Sequence, residues 1–107
     1  MRIYFERSGG MMGKPVTATV DTKSLPSDEA TAWREMVLES SFFALPETLK
    51  AASSESRDQF QYKVVVEVEE VSHTVETTDG AAPDSLRPLL RRLTIATRNP
   101  STAAFPQ

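Results

Sequence analysis

The side chains able to do chemistry are few and scattered along this chain. His73 is the single histidine among 107 residues, and there is no cysteine. No second imidazole and no thiolate is available to complete a transition-metal site, and no His-Glu-x-x-His run is present. A Ser-His-Asp relay would have this one imidazole as its base, yet no serine stands in a Gly-x-Ser-x-Gly setting and no phosphate-binding loop exists. His73 lies between Val71 and Val75 in an alternating stretch, which reads as a structural position. The expectation is a protein without catalytic residues, metal or cofactor.

Three other groups carry some chemical potential. Glu67, Glu69 and Glu70 could act as acid and base only if their environments separated their proton affinities. At the end of a strand pair they read more simply as solvated charges that resist edge-to-edge association. Arg87, Arg91 and Arg92 could hold an anion, but arginines off the apolar stripe of a helix commonly do no more than solubilise it. The run Gly9-Gly10-Met11-Met12-Gly13 differs from both, because it offers two flexible apolar side chains where a connecting loop would ordinarily be polar. It is either a recognition loop or a hairpin tip whose methionines fold back over the sheet edge.

These groups need elements to position them. Ile3 and Phe5 alternate with Tyr4 over residues 2–6, a first strand, and residues 7–15 read as a glycine-rich loop. Val16, Ala18 and Val20 alternate in a second strand that returns antiparallel to the first. Pro26, a possible cap at Ser27, and the acids Asp28 and Glu29 open a helix to about Glu39 that presents Ala30, Trp33 and Val37. Phe42, Phe43 and Leu45 follow as core residues, and residues 46–49 as a further short turn over the sheet. Small polar residues 51–58 form a connector.

Phe60, Tyr62, Val64, Val66 and Val68 give the longest strand pattern, and Val71, His73, Val75 and Thr77 a weaker one. An even-length connection at Glu69-Glu70 puts both apolar sets on one face, whereas an odd one turns His73 outward. Leu86, Leu89, Leu90 and Leu93 then recur at helical spacing, with Ser85 as the expected cap and Pro88 in the first turn. Residues 94–107 have little periodicity and are expected to fray.

The order is ββαββα. The expected fold is α+β, a four-stranded antiparallel sheet of two hairpins with both helices packed on one face. Trp33, Val37, Phe60, Val64, Val66, Leu86, Leu90 and Leu93 are the expected core. Residues 1–98 form one domain and 99–107 a flexible tail.

Composition narrows the class of partner. Twelve Lys+Arg against fifteen Asp+Glu leave a net charge of −3, without the long-range attraction a nucleic-acid binder uses. No stretch approaches the ~18 apolar residues of a membrane helix, and Arg2, Glu6 and Arg7 interrupt any apolar leader. The expectation is a cytoplasmic protein whose partner is neither nucleic acid nor membrane.

Longer motifs add a resemblance. Ile3-Tyr4-Phe5-Glu6-Arg7-Ser8-Gly9-Gly10, Asp21-Thr22 followed by Leu25-Pro26, and Phe42-Phe43-Ala44-Leu45-Pro46 carry its first half. Asp58-Gln59-Phe60-Gln61-Tyr62, His73-Thr74-Val75, and Gly80-Ala81-Ala82-Pro83 through Leu86-Arg87-Pro88-Leu89-Leu90 carry the rest. In this order and spacing the chain resembles the emfourins, inhibitors of protealysin-like metallopeptidases of the thermolysin group. The pattern often has Phe after the Gly-Gly pair, where this chain has Met11.

The resemblance implies a non-enzymatic protein that binds a thermolysin-group peptidase in its active-site cleft and competes with substrate. The surface it implies is Arg7, Ser8, Gly9, Gly10, Met11, Met12 and Gly13, with Met11 as the first apolar anchor and Met12 as the second. Residues 51–58 and the strand face around Tyr4 are the competing contact surfaces. A general protein-interaction module that leaves such peptidases untouched is the alternative function.

Overall fold

The computed structural model describes residues 1–9, 15–49 and 60–98. Alternation of apolar and polar side chains produces four strands: β1 (Arg2–Gly9), β2 (Val16–Asp21), β3 (Phe60–Val68) and β4 (Val71–Thr78). They form one antiparallel sheet in the order β2-β1-β3-β4. Ile3 lies opposite Val20 and Val66, and Phe5 opposite Ala18 and Val64, so the apolar sets of three strands coincide. A slip of one residue would carry all of them to the solvent side, which is why the pattern fixes this register.

Helices α1 (Ser27–Glu39) and α2 (Arg87–Arg98) cover the same face. Trp33 and Val37 from α1 and Leu89, Leu90, Leu93 and Ala96 from α2 join Ile3, Phe5, Val20, Val64, Val66 and Val75 in one core. Tyr4, Thr17, Thr19, Lys63, Glu67 and Glu76 remain exposed on the other face. This is the two-layer α+β arrangement expected from the order of elements, with one dry and one wet sheet face.

Several boundaries differ from the sequence expectation. β1 runs through Arg7, Ser8 and Gly9, which read as loop, because β3 supplies backbone partners for them: Arg7 opposite Tyr62, Ser8 opposite Gln61 and Gly9 opposite Phe60. β2 reaches only as far as the Arg7–Val16 pair, so the last two residues of β1 overhang β2 and are held by β3 alone. Gly9 takes φ 88°, a value glycine adopts without steric cost.

Helix α1 begins directly after Pro26, whose carbonyl accepts the Ala30 N–H at 2.9 Å. Ser27 is therefore the first helical residue; Pro26 supplies no side-chain cap, and Asp28 Oδ1 accepts the first-turn N–H of Glu29 at 2.9 Å. At the other end the buried Ser40 donates its hydroxyl to Val37 O at 2.7 Å, and Ser41 at φ 54° stops the helix. The chain turns through a 3-10 segment, Phe42–Ala44, that buries Phe42. Phe43 is 41% exposed, because a tight turn cannot send two consecutive rings inward.

Residues 47–49 do not form the expected turn. They run parallel to β4, with Leu49 N–H donating to Glu76 O at 2.8 Å and Glu76 N–H to Glu47 O at 2.7 Å. The outer edge of β4 is thereby paired over a short stretch rather than left open.

α2 starts at Arg87, after a turn in which Leu86 N–H bonds Pro83 O and Arg87 N–H bonds Asp84 O. Ser85 lies inside that turn and does not cap the helix. Pro88 is the second helical residue, where its missing N–H costs nothing. The helix continues to Arg98 although residues 94–98 lack a leucine stripe. Ala96 packs in the core, and the Thr94 and Thr97 hydroxyls bond the carbonyls of Leu90 and Thr94.

Seven of the eight expected core residues are buried in that core. Phe60 is the exception, half-buried at the end of the sheet. Residues 51–58 and 99–107, read as connector and tail, lie outside the described residues.

Candidate functional site

One end of the sheet gathers the end of β1, the start of β3, the end of β4 and the outer side of α2. Asp79, just after β4, ties this end together. Its carboxylate accepts the Phe60 N–H at 3.2 Å through Oδ2 and the Tyr62 hydroxyl at 2.5 Å through Oδ1. Its own N–H donates to Phe60 O, and its carbonyl accepts Arg87 Nη2 at 3.0 Å. Burial raises the Tyr62 phenol first, and the bond to Asp79 and the charge of that carboxylate add to it, so the pKa is pushed up to about 12.

Arg7 lies on the helix-covered face in the row of Ile3 and Phe5. Its guanidinium sits over the Phe60 ring, Cζ 4.3 Å from the centroid. Its Nε is shut off from solvent and has no hydrogen-bond partner among the described residues. Ser8 faces the opposite way, where Glu6, Gln61, Lys63 and Thr78 border with it a shallow depression of about 340 Å³ beside residues 48 and 49.

Of the seven residues expected to form the contact surface, Arg7, Ser8 and Gly9 are thus strand residues at the root of the 10–14 segment. The structure divides Arg7 and Ser8 between the two faces of the sheet. Gly10, Met11, Met12 and Gly13 lie outside the described residues.

The other candidate groups resolve as follows. The two-residue connection Glu69-Glu70 turns His73 toward the helix side, opposite Val66. Its Nε2–H donates to Leu45 O at 2.7 Å, which fixes the tautomer. Phe42 meets the ring edge-on, with centroids 5.6 Å apart. His73 therefore fastens the 42–45 segment to β4. Glu67, Glu69 and Glu70 are all exposed. No group of three His, Asp or Glu side chains among the described residues could hold a metal ion, and no helix among them is long and apolar enough to cross a membrane.

The arginines of α2 do not act as one group. Arg92 covers the Trp33 ring at 5.2 Å, closing the core from outside. Arg87 and Arg91, with Arg98 and Arg7, line an open cleft of about 550 Å³ between α2 and the start of β3, floored partly by Phe60 and Ile95. Arg98, Ile95 and Asp79 were not singled out by sequence reasoning. The signal was present in the spacing of Arg87, Arg91 and Arg98, which share a helical face once the helix is known to reach residue 98.

No curated protein and no solved structure matches this chain. The Emfourin family model matches residues 5–94, from the middle of β1 to beyond the last core leucine of α2. The match takes in β2, β3, β4 and all but the first three residues of β1, and includes the residues on either side of the 10–14 segment. The chain belongs to the Emfourin family, a family of protein inhibitors rather than enzymes.

Proposed function

We propose that this protein inhibits a protealysin-like zinc metallopeptidase of the thermolysin group by occupying its active-site cleft in competition with substrate. The observation that carries the reading is the family match over residues 5–94. An inhibitor needs no reactive group of its own. It needs a surface held in one shape, since each side chain ordered on binding subtracts from affinity.

The sheet supports such a surface. β1 is paired on both sides up to Arg7 and on one side up to Gly9, so the 10–14 segment departs from a rigid base. Met11 is the first candidate anchor and Met12 the second. Thermolysin-like enzymes favour a bulky apolar side chain just after the scissile bond, and unbranched methionine can fill such a pocket. A contact of ~800 Å² per partner is the usual size for a stable complex of this kind.

The test is an inhibition assay of the purified chain against several thermolysin-like metallopeptidases, with a serine peptidase as control. Loss of metallopeptidase activity at stoichiometric or low-micromolar concentration, with the serine enzyme unaffected, supports the proposal. Full activity of every metallopeptidase at high inhibitor excess overturns it and leaves a general interaction module in its place.

A further inference from the structure

We infer that the arginine cleft between α2 and the start of β3 is a second contact region, one that seats an acidic surface segment of the inhibited peptidase. The inference rests on the inhibitor reading and adds the chemistry of the partner's surface. Arg7, Arg87, Arg91 and Arg98 line the cleft. Asp79, the one acid among the described residues that line it, has its carboxylate engaged by the Phe60 N–H and the Tyr62 hydroxyl. Four guanidinium groups against this one carboxylate leave a local excess of positive charge among the described lining residues, on a chain whose net charge is −3.

Three of these four guanidinium groups have no carboxylate partner among the described residues. Arg91 and Arg98 pair with no carboxylate among the described residues; Arg87 meets the Asp84 carboxylate at 3.4 Å, largely in solvent, and donates to the Asp79 carbonyl at 3.0 Å. Arg7 lies over the Phe60 ring, its buried Nε–H without an acceptor among the described residues. A planar guanidinium presents two parallel N–H groups that match a carboxylate, so several of them around one cleft suit Asp and Glu side chains. Phe60 and the 47% exposed Ile95 add apolar surface, which fits a protein segment better than a free anion.

Position links the cleft to the inhibitory segment. Gly9, which precedes residues 10–14, pairs directly with Phe60, whose ring lies under Arg7 at the cleft wall. A peptidase engaged by that segment has its neighbouring surface within reach of the cleft. The opposite charge would then steer the encounter as well as hold the complex.

The experiment measures association and dissociation rates with an inhibited thermolysin-like peptidase at about 20 and about 300 mM NaCl, concentrations on either side of strong screening. The parent is compared with the double variant Arg91→Glu/Arg98→Glu, the double variant Arg91→Lys/Arg98→Lys, and Arg34→Glu on the exposed side of α1. The charge reversal is expected to slow association about tenfold or more at low salt and flatten its salt dependence. The lysine pair should keep the salt dependence but dissociate faster, and Arg34→Glu should match the parent. If the parent inhibits and the charge reversal retains its association rate and salt dependence, this inference falls while the inhibitor reading stands. If the parent inhibits no such peptidase, both fall.

Discussion

The Tyr62 hydroxyl donates to Asp79 Oδ1 at 2.5 Å, joining the start of β3 to the residue that follows β4 at the edge of the arginine cleft. Burial and this bond both favour the neutral phenol, so its pKa rises from 10.0 to about 12. The unfolded chain thus ionises Tyr62 at lower pH than the folded one does. The associated stability is present in full below pH 10 and is lost as pH rises through the folded value. Denaturant unfolding between pH 9 and 12 should show a decline that Tyr62→Phe makes shallower. The variant should also be less stable at neutral pH by roughly 1.5–3 kcal/mol, the usual range for a bond to a charged acceptor. An identical pH profile in parent and variant would contradict this assignment.

The β3–β4 hairpin carries a local cost. Glu69, the first residue of its two-residue turn, sits at φ 55°, where glycine is the favoured residue. Glu69→Gly should stabilise the protein by up to about 1 kcal/mol, the relief of a left-handed side-chain clash less the added freedom of the unfolded chain. A lower denaturation midpoint for the variant would show that the Glu69 side chain contributes something the backbone argument omits.

His73 should prove dispensable for binding a peptidase and useful for folding. With His73→Gln the Leu45 carbonyl loses a well-placed donor and Phe42 loses its edge-on neighbour, at a cost of about 1 kcal/mol. The inhibition constant of the folded variant should match the parent. A folded variant without inhibition would give His73 a part in the contact.

Much of this fold was legible in the sequence because its signals are periodic. The alternation in β3 and the leucine spacing in α2 state which face is buried, and tertiary packing agrees with both. What escaped was decided by partners distant along the chain. Arg7 to Gly9 read as loop beside three glycines, yet β3 extends them by supplying the other half of the ladder. Residues 94–98 lacked leucines, yet Ala96 sufficed to keep the helix on the sheet. The Glu69-Glu70 turn carried no glycine, so its register emerged only from the Val68–Val71 pair. The arginine cleft required three separate elements to be placed before its side chains met, whereas a motif read along one segment saw only a solubilised helix face.

The methionine pair offers a direct test of where the contact lies. Met11→Ala/Met12→Ala should weaken inhibition by roughly 2 kcal/mol or more if these side chains fill a pocket, with circular dichroism and thermal midpoint unchanged. A substitution set within residues 51–58 should leave inhibition at the parent level. Equal inhibition by the double methionine variant would move the anchor away from the 10–14 segment.

The central claim is occupation of the peptidase active-site cleft, and the most direct measurement is the apparent inhibition constant as a function of substrate concentration. Competition requires that this constant rise linearly with substrate above KM, and that a small zinc-chelating active-site ligand exclude the protein from the complex. A constant independent of substrate concentration, or a ternary complex of peptidase, chelating ligand and this protein, would contradict the account.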